Sequence, residues 1–362
     1  GRYTGDIPLT LHFYQESGDR LHIPRGFAEQ VYRTLNGQVD VVDRRRTVPA
    51  EIRFTGTLKA FQETAVKDML VHSDGVLSAG TGSGKTVMAL NMAAARGQRT
   101  LVIVHTRELL AQWCDRIEQF CGIQAGQIGG GRFDLGEQIT VGMVQSLCKR
   151  DDIQDQFGFV IVDECHRCPS KTFIDVVSGI GAKYRLGLSA TTFRRDGLGR
   201  VIFLYLGDCH HQVDKSMLLD QGHLCQAQVV FHPTDFDTLL DGSTEYSAML
   251  AELTRDQDRN RQICGDVAGD DTGGIRLVLS DRKDHCQELA NILAEHHSIQ
   301  ATVLHGGIKA GDRETITQEI QAGKVHVLIC TSQLIGEGVD ISGLETLYLT
   351  TPIRFSGRLI QY

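Results

Sequence analysis

The residues of this chain with the clearest chemistry form a glycine-rich loop. Residues 78–86 read Ser-Ala-Gly-Thr-Gly-Ser-Gly-Lys-Thr and lie between an apolar run and a segment of helical periodicity. Glycines let successive backbone N–H groups converge on phosphate oxygens, and the N-terminus of the following helix adds the positive end of its dipole. In such a loop Lys85 reaches the β- and γ-phosphates of ATP, and the Thr86 hydroxyl binds Mg²⁺. The candidate ATP-binding residues of the loop are Ala79 (where the strict pattern has glycine), Gly80, Thr81, Gly82, Ser83, Gly84, Lys85 and Thr86.

A pair of acidic residues follows a second apolar run. Asp163 and Glu164 come directly after Phe159–Val162. Because Mg²⁺ prefers oxygen ligands, Asp163 is predicted to complete its coordination. Glu164 is predicted to orient and deprotonate the water that attacks the γ-phosphate. The alternative is that the pair forms a surface turn at the end of a strand. This interpretation is less favoured, because the pair follows a buried strand in a chain that also carries a phosphate loop.

The elements that must position these residues alternate between strands and helices. Nearly continuous apolar strands separated by amphipathic helices are typical of parallel sheets covered on both faces. The alternation occurs twice, with a break near residues 205–230, and predicts two α/β domains in tandem at 53–225 and 226–362. The predicted strands are Gly75–Ser78, Leu101–Val104, Gln138–Val141, Phe159–Val162, Arg185–Leu188, Gln226–Phe231, Arg276–Ser280, Ala301–Leu304, Val325–Cys330 and Thr346–Leu349, and the predicted helices include Glu108–Phe120, Asp284–Glu295 and Asp312–Gln321.

A small α+β unit is predicted at residues 1–52, ahead of these domains. Its pattern indicates a hairpin over residues 8–24, a helix over Gly26–Leu35 and a strand over Val39–Val42. The unit ends in three consecutive arginines, Arg44–Arg46. Such a short charge run is either a solvated face or an accessory nucleic-acid contact.

Composition excludes several classes of protein. With 362 residues, 41% hydrophobic and 23% charged, the chain is neither disordered, collagen-like nor a coiled coil. No apolar run approaches the roughly 18 residues that a membrane span needs. The chain starts at Gly1 with no visible signal peptide, so we expect it to be part of a longer polypeptide or complex. A net charge of −8 argues against a surface coated in basic residues, but not against a nucleic-acid channel.

The ten cysteines predict reduced thiols of a cytoplasmic protein, since they are spread along a long chain. A zinc site is the alternative. Cys165 and Cys168 have C-x-x-C spacing, and the Cys209–His211 run and Cys225 could supply further ligands. Structural zinc needs four ligands at suitable spacing, and the sequence contains no second C-x-x-C pair. Core thiols are therefore the favoured interpretation.

Taken in order, these motifs resemble the superfamily 2 helicases and translocases of the DExH group. Leu58–Gln62 is similar to the adenine-reading segment of that family, with Gln62 as its amide. The loop at 79–86 matches motif I, and Asp163–His166 matches motif II in its DECH form. The other resemblances are His105–Leu109 to motif Ia, Val144–Leu147 to motif Ib, Ser189–Thr191 to motif III, Leu304–Gly307 to the loop between motifs IV and V, and Thr331–Asp340 to motif V.

The resemblance implies two RecA-like domains that bind ATP between them. It implies that Gly336 and Asp340 of motif V belong to the ATP site. It also implies that His166 acts with Lys85, Asp163 and Glu164, and links the ATP site to motif III, where Ser189 and Thr191 couple hydrolysis to movement. Nucleic-acid contacts in the family go mainly to phosphates. The positions carried over for those contacts are Thr106, Arg107, Gln145 and Thr331.

Two finer likenesses concern the branch of the family and the end of the chain. The segment 189–197, SATTFRRDG, is similar to the XPB-like helicases, although Arg195 stands where that branch has Glu. The N-terminal unit also resembles the XPB and phage UvsW arrangement, and restriction-type translocase subunits share the same core.

Motif VI of the family runs Gln-x-x-Gly-Arg-x-x-Arg. If Gly357 is aligned with the glycine of this motif, two other motif positions hold the wrong residue. Gln361 instead fits the first position of the motif, so we expect its arginines, which would contact the γ-phosphate, beyond Tyr362.

The sequence therefore predicts an ATP hydrolase that moves along nucleic acid. The favoured partner is DNA, as a single strand or a branched or forked duplex, and no membrane is expected. One alternative is a duplex DNA translocase, without strand separation, in a restriction or remodelling complex. Another is a binding module whose ATPase has decayed. The decayed form predicts damage at Lys85, Thr86, Asp163 or Glu164, and all four are intact.

Overall fold

The computed structural model describes residues 12–36, 38–150, 152–167, 171–190, 199–214, 228–308, 310–331, 341 and 343–352. The chain divides into two compact units, Gly1–Gln226 and Ala227–Tyr362. Within the described residues, no helix is both long and apolar enough to cross a lipid bilayer.

The first unit is built on a mostly parallel sheet. Its strands lie side by side in the order Cys209–Gln212, Asp74–Ser78, Tyr184–Ser189, Phe159–Val162, Thr100–Val104, Ile139–Met143, Gly126–Gly129 and Arg132–Phe133, and among these described strands only the last pair is antiparallel. The carboxyl ends of the central strands therefore meet at one edge of the sheet. The strands are β3 (Asp74–Ser78), β4 (Thr100–Val104), β5 (Gly126–Gly129), β6 (Arg132–Phe133), β7 (Ile139–Met143), β8 (Phe159–Val162), β9 (Tyr184–Ser189) and β10 (Cys209–Gln212).

Helices cover both faces of this sheet, because successive strand residues point to opposite sides. Leu77 and Val102 pack with the helices on one face, while Val76 and Leu101 pack with the helices on the other. The first group of helices is α2 (Ala60–Leu70), α3 (Lys85–Arg96) and α4 (Arg107–Cys121), and the second is α5 (Val144–Leu147), α6 (Lys171–Gly179) and α7 (Gly199–Leu206).

The second unit contains a smaller parallel sheet, in which the strands lie side by side in the order Thr302–Leu304, Val327–Thr331, Ile275–Ser280 and Leu344–Leu349. Cores form on both of its faces, one around Val278 and Ile329 and the other around Leu277 and Leu328. Its elements are α8 (Tyr246–Arg255), α9 (Gln257–Ala268), β11 (Ile275–Ser280), α10 (Lys283–His297), β12 (Thr302–Leu304), α11 (Ala310–Gln321), β13 (Val327–Thr331) and β14 (Leu344–Leu349).

The predicted fold class, parallel sheets in an α/β chain, is confirmed, but two predicted strands are wrong. Val39–Val42 is exposed and has no strand partner, and residues 228–231 of the predicted strand Gln226–Phe231 are also exposed and outside any sheet. Three strands were missed: Cys209–Gln212, which pairs with β3, and Gly126–Gly129 and Arg132–Phe133, which pair with each other. Both errors arise because a strand requires a hydrogen-bonding neighbour, which an apolar run alone does not guarantee.

The N-terminal segment is part of the first unit and lies against its sheet. Its hairpin, β1 (Gln15–Ser17) and β2 (Arg20–His22), is followed by α1 (Ala28–Thr34). Arg25 forms an ion pair of 2.7 Å with Asp74 at the start of β3, and its guanidinium also donates to the carbonyls of Ala182 and Lys183. These contacts join the segment to the amino-terminal edge of the sheet, away from the loop at 79–84.

Two of the three consecutive arginines form ion pairs within the chain. Arg45 lies 2.8 Å from the Asp43 carboxylate. Arg46 lies 3.1 Å from the Asp155 carboxylate and also exchanges backbone hydrogen bonds with Gly181 and Lys183. Arg44 is exposed. Arg45 and Arg46 therefore have a structural role, whether the triplet is a solvated face or an accessory nucleic-acid contact.

Candidate functional site

The glycine-rich loop joins β3 to α3 at the carboxyl edge of the first sheet. Gly82 and Gly84 have φ angles of 77° and 80°, in the left-handed region that glycine adopts without strain. The Ala79 N–H donates to the carbonyl of Ser189 at 2.9 Å, which ties the loop to the end of β9. Because the first N–H groups of a helix have no intrahelical acceptor, the start of α3 offers donors to an anion beside the loop.

The side chain of Lys85 folds back over this loop. Its Nζ lies 3.0 Å from the carbonyl oxygen of Ala79 and 3.4 Å from that of Gly80. The ammonium group therefore lies at the turn itself rather than in solvent. Thr86 follows in the first turn of α3 and is half-buried.

Gln62 connects α2 to the same loop. Its Oε1 accepts the Lys59 N–H at 2.9 Å, and its Nε2 donates to the carbonyl of Ser83 at 2.9 Å. The side chain is buried against Gly84. The structure thus brings Gln62, which the resemblance assigns to the ATP site, and the phosphate loop together. Among the described residues, one Nε2 proton and one Oε1 lone pair of Gln62 have no partner, so a ligand can use them.

Asp163 stands at the carboxyl end of β8. Its Oδ1 accepts the Glu164 N–H at 2.9 Å, and its Oδ2 accepts the indole N–H of Trp113 at 2.8 Å. Burial of the carboxyl group, followed by the neighbouring charge of Glu164, raises the pKa of Asp163 to about 6. Asp163 is thus a buried carboxyl group with a donor on each oxygen, a position that suits a metal ligand.

Glu164 takes an unusual backbone conformation for a side chain of its type. Its φ angle is 48°, in the left-handed region that costs a residue with a Cβ roughly 1–2 kcal/mol. Burial alone would raise its pKa. Contact with His166 and the charge of Lys85 outweigh burial, so the pKa of Glu164 is lowered. The residue is therefore ionised at neutral pH and can accept a hydrogen bond or a proton from water.

His166 connects the acidic pair to β9. Its Nδ1 lies 3.1 Å from Glu164 Oε2 and 3.3 Å from the hydroxyl of Ser189. His166, Glu164 and Ser189 are thus brought together as the resemblance implies. Thr191, Gly336 and Asp340 lie outside the described residues, as do the segment 194–196 and the chain end with Gln361.

Three predicted nucleic-acid contacts share one edge of the first sheet. Thr106 caps α4, its hydroxyl accepting the Leu109 N–H at 3.2 Å, and Arg107 follows it. Gln145 lies in α5, and its Nε2 is 3.4 Å from the carbonyl of His105. The fourth contact, Thr331, ends β13 in the second unit.

Sequence reasoning missed Trp113, which the structure places at the centre of the site. It lies on the buried side of α4 and is 1% exposed. The signal that could have found it is the helical pattern itself, because Leu110, Trp113 and Ile117 recur on the face of α4 that packs against the sheet. Pattern alone indicates core packing; it does not reveal that the indole N–H meets a carboxylate.

The zinc alternative gains no support from the part of the chain that the structure describes. No group of three or more His, Cys, Asp or Glu side chains there is arranged to hold a metal ion. Cys165 is buried and Cys209 is half-buried, whereas Cys168 and Cys225 lie outside the described residues. Burial raises the pKa of the Cys209 thiol, which favours the neutral form.

Two protein families match the chain. Residues 55–194 match "Type III restriction enzyme, res subunit", and residues 261–361 match "Helicase conserved C-terminal domain". The first match contains the phosphate loop, the acidic pair and Ser189. Both matches are consistent with the superfamily 2 helicases and translocases that the motifs resemble. The prediction that it carries the domains of an ATP-hydrolysing enzyme is confirmed.

Individual relatives of this helicase chain are similar over different lengths. A putative ATP-dependent RNA helicase of Acanthamoeba polyphaga mimivirus is 28% identical over 94% of the chain and 67% of its own length. The "DNA 3'-5' translocase XPB2" of Sulfurisphaera tokodaii is 33% identical, over 39% of the chain and 32% of its own length. The chain thus spans about a third to two thirds of the length of these relatives.

A solved structure supports the two-domain fold of this helicase chain. S. cerevisiae Dbp5, solved bound to RNA and ADP BeF3, superimposes with a TM-score of 0.57 at 16% identity, covering 93% of this chain and 85% of Dbp5. At that identity the likeness concerns the fold alone. The predicted fold of two RecA-like domains is confirmed.

Proposed function

We propose that this chain is the motor core of an ATP-driven helicase that moves along DNA and unwinds or remodels it. One observation carries the proposal. A glycine-rich loop with its lysine, an acidic pair and a histidine that contacts both Glu164 and Ser189 lie together at one edge of the first sheet. That arrangement supports hydrolysis of a nucleoside triphosphate and its coupling to the next element along the sheet.

Each residue of the site has a part in this proposed reaction. The loop backbone and Lys85 bind the phosphates, and Gln62 contacts the adenine. Glu164 orients the attacking water and accepts its proton, while His166 holds the Glu164 carboxylate in place. Gly336 and Asp340 complete the ATP site from the second domain.

Mg²⁺ is the proposed metal of the site. Thr86 and Asp163 provide a hydroxyl and a carboxylate, the hard oxygen donors that this cation prefers. The metal would neutralise charge on the β- and γ-phosphates. Asp163 fits this role because each of its carboxylate oxygens accepts one hydrogen bond from a described residue and keeps another lone pair for the metal.

The proposed nucleic-acid contacts are Thr106, Arg107 and Gln145 in the first unit and Thr331 in the second. Hydroxyl, amide and backbone groups at these positions suit phosphate contacts, which position a strand without reading its bases. A net charge of −8 is compatible with such binding, because few basic residues are needed. Movement would follow from closing and opening of the two domains in each ATP cycle.

The choice of DNA rests on the family match to a restriction subunit and on the Sulfurisphaera tokodaii relative, which is named as a DNA translocase. RNA is the competing substrate, since the mimivirus relative is named as an RNA helicase. Steady-state ATP hydrolysis should be measured with single-stranded DNA, forked DNA and single-stranded RNA of equal length. We expect the larger stimulation with DNA, and none in Lys85→Ala. Equal or larger stimulation by RNA would overturn the choice of substrate.

A duplex translocase that does not separate strands is the second candidate, favoured by the restriction-subunit match over residues 55–194. A strand-displacement assay on forked DNA distinguishes it from a helicase when run beside a triplex-displacement assay. Displacement of the third strand without separation of the fork would identify the translocase. Separation of the fork supports the helicase.

A further inference from the structure

Trp113 is the one tryptophan of the chain, and its ring is buried in the core beneath the ATP site. The indole Nε1 lies 2.8 Å from Asp163 Oδ2. Trp113 reaches this carboxylate from α4, whereas Asp163 follows β8, so the contact joins two elements that are 50 residues apart in sequence. None of the motifs that define the site contains this tryptophan.

The contact fixes the orientation of the carboxylate. Oδ1 is held by the Glu164 N–H and Oδ2 by the indole N–H, so each oxygen of Asp163 has one donor from the protein. An indole N–H only donates, and it therefore pairs with an acceptor oxygen and favours the ionised carboxylate. The ring itself cannot turn away, because it is 1% exposed and packed in the core between the sheet and its helices.

We propose that Trp113 is a positioning residue for the divalent cation: its indole N–H holds Asp163 Oδ2 in the orientation that metal binding requires. The proposal rests on the proposed function, in which Asp163 binds Mg²⁺. Hydrogen-bond partners of metal-binding side chains orient them, and removal of such a partner costs roughly 10- to 100-fold in metal affinity. Trp113 should therefore be needed for Mg²⁺ and dispensable for the nucleotide itself.

The position of Trp113 on α4 adds a second consequence. Thr106 caps this helix, and Trp113 follows seven residues later, about two turns along. The helix that begins at the proposed nucleic-acid contacts is therefore the one that holds the metal carboxylate. A strand bound at the proposed contacts Thr106 or Arg107 would therefore be connected to Asp163 through α4.

The test is the Mg²⁺ requirement of Trp113→Phe. Binding of a fluorescent ATP analogue is titrated with Mg²⁺ in the parent, in Trp113→Phe and in a control, Phe173→Leu, which alters a buried aromatic ring in the other core of the first unit. We expect Trp113→Phe to need roughly 10- to 100-fold more Mg²⁺ for half-maximal effect. Its affinity for the analogue in EDTA should equal that of the parent, and Phe173→Leu should match the parent in both. A Mg²⁺ requirement within twofold of the control overturns the proposal.

A second measurement needs no substitution, in case Trp113→Phe fails to fold. A ¹⁵N-labelled parent chain gives one indole cross-peak, because it has one tryptophan. We expect this peak to move when Mg²⁺ is added to the ADP-bound protein and to stay in place when ADP is added in EDTA. A peak that ignores Mg²⁺ overturns the proposal, whereas a parent that binds neither ADP nor the ATP analogue contradicts the proposed function instead.

Discussion

Replacing Gly84 with alanine should damage the fold and the nucleotide site together. Gly84 has a φ angle of 80°, where an alanine costs about 1–2 kcal/mol. A Cβ at this position would also lie 2.4 Å from Gln62 Nε2, closer than real Cβ atoms approach any neighbour. The Gln62 side chain must therefore move.

The cost of that movement follows from the hydrogen bonds of Gln62. Its amide contacts the Lys59 N–H and the Ser83 carbonyl, each at 2.9 Å. A net contribution of about 0.5–1.5 kcal/mol for each bond, added to the backbone strain, gives a loss of about 2–5 kcal/mol in the free energy of unfolding.

Two matched variants separate the strain from the collision. Gly122→Ala places alanine at a φ angle of 67° with no atom within 4 Å of the new Cβ, so it should lose only the strain of about 1–2 kcal/mol. Gly80→Ala has open space and no positive φ, and should change stability by less than about 1 kcal/mol in either direction. Urea unfolding measures all three. A loss in Gly84→Ala no larger than that in Gly122→Ala would refute the reasoning.

Nucleotide binding provides an independent readout of the same variant. If Gln62 contacts the adenine, its displacement removes about one hydrogen bond, which weakens ATP binding by about 5- to 10-fold. Because the lost contact is to the base, discrimination between ATP and GTP should fall by a similar factor. Gly122→Ala should bind ATP as the parent does. If folded Gly84→Ala still discriminates between ATP and GTP as the parent does, Gln62 does not recognise the base.

Three other experiments test the remaining parts of the molecule. Glu164→Gln keeps the shape of the side chain but not its charge, so we expect normal affinity for ATP and DNA with hydrolysis abolished; turnover at the parent rate would disprove its role. Burial, followed by the charge of a neighbouring arginine, lowers the pKa of His285 to about 4. The unfolded chain then binds a proton more readily, so the stability present above pH 6.5 should fall by about 3 kcal/mol as the pH drops to 4, and His285→Gln should flatten that dependence in urea unfolding. If Arg44–Arg46 contact DNA, changing all three to alanine should weaken binding and reduce its salt dependence, and Arg44→Ala alone should reproduce most of the loss because the other two are ion-paired; unchanged affinity would leave only the solvated-face interpretation.

The sequence predicted the parts of the fold in which local pattern and tertiary context agree. Buried parallel strands are apolar on both faces, so runs such as Phe159–Val162 could be recognised directly. The strand Cys209–Gln212 escaped notice for the opposite reason. It is an edge strand of polar residues, half-exposed, and its strand character comes from pairing with β3 rather than from its composition.

The candidate site was predictable where residues carry chemistry by type and spacing. Lys85, Asp163 and Glu164 follow from motif and strand position. The contacts among them do not follow, because they depend on side-chain packing across the sheet. Trp113 shows the limit of such prediction. An apolar helix face predicts that it is buried, but only the tertiary contact between α4 and the residue that follows β8 decides that its N–H finds a carboxylate.

The strand order accounts for the link between hydrolysis and Ser189. Along the chain, β3 comes first, then β8, then β9, but in the sheet β9 lies between the other two. Ser189 therefore ends a strand that touches the phosphate loop on one side, through the Ala79 N–H, and faces His166 on the other. A change at Glu164 reaches Ser189 through His166, and a change at the loop reaches it through the Ala79 N–H. In a sheet with sequential strand order β9 would lie at the edge, with β8 between it and β3, and this double contact would be lost.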